Sequence, residues 1–166
     1  MSNGMGNSSP PEKDYILWRL LLETRDTVFK ARQKELRRYG ISPEEAAVLF
    51  TVKSLGAKAT PTEISRYLLR KTHTVSGILN RMEKKRLLQK TKDLPRKNLV
   101  RASLTEKGEQ AYYQSTKIES IRGIMSSLSE QERQQLSSCL KTLRERALKQ
   151  LGINQKPLPH STNELP

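Results

Sequence analysis

The same helix-start signal is written three times along this chain, and it constrains the fold more than any other feature. Ser42-Pro43-Glu44-Glu45 and Thr60-Pro61-Thr62-Glu63 each place a hydroxyl, a proline and then a glutamate three residues past the hydroxyl. Ser129-Glu130-Gln131-Glu132 repeats the pattern without the proline. The hydroxyl accepts a hydrogen bond from an orphan amide of the first turn, and the glutamate reaches back to the amide of the capping residue. The proline sits where no amide is needed. Helices are therefore expected over about 43–55, 61–69 and 130–151, with Gly56 and Gly152 as two of the stops.

Periodicity supplies the remaining elements. Leu17, Leu21, Thr24, Val28, Ala31 and Glu35 recur at 4-3-4-3-4 spacing, which marks a long amphipathic helix over about 13–38 that Gly40 ends. Another helix, about 73–86, carries Val75, Ile78, Leu79 and Met82 on one face and follows the 61–69 helix after a few residues. Alternation then takes over from Leu88 and again through Val100, Ala102 and Leu104, on either side of the polar stretch 93–98, which reads as a β-hairpin. A single helix is expected from near Thr105 to about Ser127, burying Ala111, Ile118, Ile121, Met125 and Leu128. The class is mainly α. Residues 13–151 form one domain, and the Ser/Asn/Gly/Pro-rich segments 1–11 and 152–166 are expected to be flexible tails.

Charge points to the partner. The chain carries a formal net charge of +14, and residues 60–108 hold 13 Lys/Arg against 4 Asp/Glu. So large an excess in under a third of the chain favours an anionic partner over a general solvated face. The single cysteine excludes a disulfide framework and a cysteine-built zinc site. With two histidines and no phosphate-cradling glycine loop, neither an enzyme nor a bound cofactor or metal is expected. No apolar run reaches the ~18 residues of a membrane span, and no secretory signal is visible. A cytoplasmic setting with no membrane partner is the expectation.

The two consecutive helices 61–69 and 73–86 form a helix-turn-helix candidate. The major groove of B-DNA admits one α-helix, steadied by a second that crosses the backbone. The helix to be inserted needs short polar residues at its start, and this one has Thr72, His73, Thr74, Ser76 and Gly77, then Asn80 and Arg81. Lys90, Lys92, Arg96, Lys97 and Arg101 lie on or beside the hairpin, opposed only by Asp93. Such a basic loop suits phosphates or the minor groove.

Three pieces of this stretch give it a family likeness. They are Thr74-Val75-Ser76 running on through Ile78-Leu79-Asn80-Arg81-Met82-Glu83-Lys84-Lys85, Asp93 opening the hairpin turn, and Leu104-Thr105-Glu106-Lys107-Gly108 closing it. In this order and spacing the chain resembles the MarR (multiple antibiotic resistance regulator) family of winged helix-turn-helix transcriptional regulators. The resemblance implies a winged helix over 42–108 and dimerisation helices over 13–39 and 109–151. It further implies a homodimer, usually a repressor, that binds a palindromic operator in double-stranded DNA and often answers to a small-molecule effector. The DNA-contacting set implied here is Thr60, Thr62, Lys71, Thr72, His73, Thr74, Ser76, Gly77, Asn80, Arg81, Lys90, Arg96, Lys97 and Asn98. Lys71 stands where the family commonly has a capping serine, so Thr72 is expected to cap the recognition helix.

Several residues admit more than one reading. Gly77 suits either close approach to DNA or close packing against a neighbouring helix. His73 is a DNA contact, a pH sensor or a solvated helix start. Cys139 is a redox sensor or a small apolar residue at a dimer interface, in line with Leu136, Leu140, Leu143, Ala147 and Leu151. Tyr15 and Trp18 line an effector cleft or simply pack. The rival function is an RNA-binding or ribosome-associated winged helix, which need not be dimeric.

Overall fold

The computed structural model describes residues 10–92 and 100–154. The order is α1 (Pro10–Arg37), α2 (Pro43–Leu55), a 3-10 turn (Gly56–Lys58), α3 (Pro61–Leu68), α4 (Thr72–Lys84), β1 (Leu88–Thr91), β2 (Arg101–Leu104), α5 (Glu106–Thr116), α6 (Glu119–Met125) and α7 (Glu130–Gln150). The strands pair antiparallel, with Leu88 opposite Leu104 and Thr91 opposite Arg101. This is the mainly helical winged-helix architecture expected. No helix among the described residues is long and apolar enough to cross a membrane.

Of the three capping boxes expected, two form completely. Complete capping boxes form at Ser42 and Ser129. At Thr60 only half of the box forms. Its hydroxyl accepts from the Glu63 amide at 3.2 Å, but the Glu63 carboxylate turns forward to Arg66, 3.1 Å away. The Thr60 amide already donates to the Lys58 carbonyl at 2.8 Å, so the returning half of the box has no free donor to meet. At the other end of the chain, α1 begins at Pro10 rather than after the expected tail. Two prolines are compatible with a first turn whose amides have no intrahelical acceptor.

One core organises the region 42–108. Leu49, Ile64, Val75, Leu79, Met82 and Leu88 are buried in it, joined by Leu36 from the end of α1 and Ala111 from α5. The second strand is held from its other edge as well, where the Ala102 amide donates to the Ala59 carbonyl at 2.8 Å. The segment Leu104–Gly108 then locks the end of α4. The Thr105 hydroxyl donates to the Arg86 carbonyl at 2.6 Å and accepts from the Gly108 amide at 3.1 Å. Lys107 donates to the Lys85 carbonyl at 3.0 Å, and the Thr105 amide to the Leu87 carbonyl at 3.2 Å. These bonds take up the carbonyls of Lys85, Arg86 and Leu87, the three residues that follow α4. Gly108 is the steric condition for the lock, because a Cβ there would lie 1.8 Å from the Leu87 carbonyl oxygen.

The single helix expected over 105–127 is broken in two. Ile118 adopts φ 44°, a left-handed conformation that is rare for a β-branched residue and leaves the start of α6 without a side-chain cap of its own. The cap comes from α1 instead. The Glu35 carboxylate accepts from the amides of Glu119 and Ser120 at 3.0 and 3.1 Å, and also from the Ser120 hydroxyl. Arg32 pairs with Glu35 at 2.9 Å and donates to the Ser115 carbonyl at the end of α5. Burial alone would raise the Glu35 carboxyl, but the Ser120 hydroxyl and amide and the Arg32 guanidinium outweigh it and hold the group below its ordinary value.

The long helices contrast with this core. Leu17 and Trp18 on α1 are 63% and 55% exposed, and no residue of α7 is buried. The line Leu136, Leu140, Leu143 and Leu151 faces outward, and Cys139 beside it is exposed. Of the expected buried line on 105–127, only Ala111 is buried in the single chain; Ile118, Ile121, Met125 and Leu128 are half-buried.

Candidate nucleic-acid interface

The geometry begins at the turn between α3 and α4. Leu69 ends α3 in the left-handed region at φ 51°, and the chain re-enters helix at Thr72. The expected capping by Thr72 is corrected here. Lys71 is the capping residue and makes no side-chain cap, while Thr72 is the first residue of the helix. Its hydroxyl is engaged elsewhere, 3.1 Å from the buried Ser65 hydroxyl of α3. The single Ser65 proton goes to the Thr62 carbonyl at 2.8 Å, so Thr72 is the donor in that pair. Thr72 thus ties the start of α4 to α3.

On α4 the apolar and polar faces separate. Val75, Ile78, Leu79 and Met82 are buried; Lys71, Thr72, His73, Asn80 and Arg81 are exposed; Thr74, Ser76 and Gly77 are half-buried. Gly77 needs no glycine on account of packing within the chain. A Cβ there would meet nothing closer than the Arg81 guanidinium at 3.9 Å. A groove of about 650 Å³ runs along this side of α4, with His73, Gly77 and Arg81 on one bank and Glu44 and Arg70 among its other lining residues. Tyr15 and Trp18 stand exposed on α1.

The candidate residues outside α4 separate into distinct settings. Thr60 is occupied as the cap of α3, and Thr62 is exposed on its first turn. Lys90 on β1 turns back to α4, pairing with Glu83 at 2.9 Å and donating to the Asn80 side-chain oxygen. Lys85 is likewise held internally, 2.8 Å from Glu45. Arg70, Lys71, Arg81 and Lys84 make no ion pair among the described residues, so α4 and the turn before it carry four unneutralised cations. Arg96, Lys97 and Asn98, with Asp93 that opens the turn, lie outside the described residues.

A model described as the MarR family matches residues 39–95, from the end of α1 through the first strand. That segment resembles the MarR-family winged helix. The likeness extends well past that segment. The organohalide-sensing transcriptional regulator RdhR-CbdbA1625, ligand-free, is 28% identical, with a TM-score of 0.81 over 99% of this chain and 100% of that one. Its 2,4-dichlorophenol-bound form gives 29% identity and a TM-score of 0.76 over 99% and 96% of the two chains. MepR of S. aureus in complex with DNA shares the fold at 23% identity, with a TM-score of 0.71 over 77% of this chain and 96% of that one. None of the curated proteins matches the chain significantly.

Two arrangements of this MarR-like lobe are not readable from local sequence. One is the internal pairing of Lys90 with the recognition helix; the other is the Arg32–Glu35 clasp that joins α1 to the α5–α6 break. A buried-stripe position filled by a glutamate, Glu35, was the available signal for the second.

Proposed function

We propose that the chain is a MarR-family transcription regulator that binds operator DNA as a homodimer, with α4 in the major groove and the basic hairpin along the backbone. The observation that carries this is the two-sided α4. Its apolar side is buried, while its other side presents short polar residues and a glycine among cations with no internal partner. A helix presented in this way meets base edges with its first turns and phosphates with its arginines and lysines. In this reading Lys71, His73, Thr74, Ser76, Asn80 and Arg81 face DNA, Thr62 approaches a phosphate, and Arg96, Lys97 and Asn98, which lie between the two strands in sequence, add further contacts to DNA. The MepR complex supports this use of the fold.

Dimerisation follows from the long helices. Several leucine-sized side chains on α1 and α7 are exposed in one chain. Burying such side chains stabilises by about 1.5–3 kcal/mol each, so a second copy laid on these helices gains on the order of 10 kcal/mol before the entropy of association. Two lobes related by a twofold axis then require a palindromic site. Repression by occupancy of that site is the corresponding mode of action. A cavity of about 260 Å³ where α1, α2 and α5 meet, lined in part by Arg32, Phe50, Ser115 and Ile118, suits a small effector. The dichlorophenol-bound relative supports this element of the reading.

Selection of bound duplexes from a random pool tests the proposal. The expected result is a twofold-symmetric site whose half-sites lie about 10 bp apart centre to centre. An asymmetric site, or preference for single-stranded or A-form RNA over every duplex, overturns it in favour of the RNA-binding alternative.

A further inference from the structure

We infer that Lys90 is a positioning residue that orients the Asn80 amide and thereby selects which base edge Asn80 can read. The inference rests on the reading that α4 enters the major groove. Lys90 lies on β1 and Asn80 on the third turn of α4, so the contact joins the wing to the recognition helix. The Lys90 ammonium lies 2.9 Å from Glu83 and donates to the Asn80 Oδ1. Its side chain is only 20% exposed, and its charge is already balanced by a carboxylate. This is a poor arrangement for a phosphate contact and a good one for a fixed internal support.

The chemistry of the pair sets the direction of the amide. An ammonium group has three protons to donate and no lone pair to offer. It therefore holds the oxygen of the Asn80 amide towards the wing, and the NH2 group is left for the exposed side. A freely turning asparagine recognises adenine with both ends, accepting from N6 and donating to N7. Asn80 held by Lys90 presents donors alone, which suits the O6 and N7 acceptors of guanine. Glu83 completes the device by keeping the ammonium in place; it lies one turn beyond Asn80 and faces the same strand.

Competition binding to duplexes varied singly across the half-site tests the inference. The wild-type chain is expected to prefer guanine over adenine by about tenfold at one position in each half-site, within the range for a good base contact. Lys90→Met frees the amide to turn, so adenine becomes accepted at that position while the salt dependence of binding is unchanged. Lys90→Arg, which still donates to Oδ1, retains the guanine preference. Asn80→Ala abolishes the preference at that position, and adding Lys90→Met to it changes nothing further.

The contrary result is a Lys90→Met chain that loses affinity equally for every duplex, with the salt slope reduced by about one, the signature of a phosphate contact. Retention of the guanine preference by Asn80→Ala overturns the inference by itself, even if Lys90→Met fails to fold. A wild-type chain that binds no duplex defeats the proposed function instead, so the two failures are distinguishable.

Discussion

Leu36 and Leu143 are both leucines on amphipathic helices, yet one is fully buried and the other 57% exposed. Leu36 belongs to the winged-helix lobe, whose core closes within one chain. Leu143 belongs to the long terminal helices, whose apolar faces remain open. The difference teaches that an amphipathic pattern reports a face to be covered without saying what covers it. The lobe covers its own; in the proposed dimer, a second copy of the chain covers α7 and the first half of α1.

The most disruptive test breaks the lobe. Gly108→Ala places a methyl group against the Leu87 carbonyl, and neither backbone can yield without loosening the lock at the end of α4. A loss of about 3 kcal/mol or more is expected, at or above the usual range for overpacking. Urea denaturation measures it. A chain that unfolds at the wild-type midpoint would show that the lock is dispensable.

The complementary test opens only the other region. Leu140→Glu together with Leu143→Glu places charge on the exposed line of α7. The lobe is expected to keep its folded circular dichroism while the chain becomes monomeric in sedimentation. Duplex affinity should fall about 100-fold, the scale of avidity lost when two linked sites become one. Unfolding of the lobe by this change would erase the distinction between the regions.

The junction between them is more modest in effect. Glu35→Gln removes the charge that caps α6 and pairs with Arg32, at an expected cost of about 1.5–3 kcal/mol for a buried hydrogen-bonded charge. The wild-type carboxyl is held below its ordinary value of 4.5 in the folded chain. As pH falls, the unfolded chain therefore takes up this proton first. The stabilisation from Glu35 is complete above about pH 4.5 and is lost as pH falls through the folded value. Melting temperatures from pH 6 to pH 3 should fall more steeply for the wild type than for Glu35→Gln; parallel curves would remove the group from the account.

The smallest effect sharpens the distinction between structural and contact residues within the lobe itself. Gly77→Ala fits without a clash and should raise thermal stability by up to about 1 kcal/mol. The same change should weaken operator binding, since the added methyl group stands between the helix backbone and the groove floor. Unaltered binding would mean that α4 does not approach DNA closely there.

What was legible in the sequence was local. Ser42 and Ser129 cap the helices they precede because every partner they need lies within three residues. The 2-residue alternation of Val100, Ala102 and Leu104 and the helical spacing of Val75, Ile78, Leu79 and Met82 are local for the same reason. The α5–α6 break was not legible, because its cap, Glu35, is 84 residues away from the Glu119 amide in the chain. At the interface, the polar residues of α4 could be picked out by their spacing. That Lys90 faces inward could not, since its position on a basic strand is equally suited to phosphate and to Glu83. Thr60 shows the same limit at short range, where the Lys58 carbonyl takes the amide that a cap pattern assigns to Glu63, and Glu63 pairs with Arg66 instead.

Sedimentation of the purified chain with a selected duplex, at low salt and submicromolar concentration, tests the central claim most directly. The account predicts a dimer when the chain is free and two chains on one duplex when it is bound. A free monomer that leaves double-stranded DNA unshifted would contradict it.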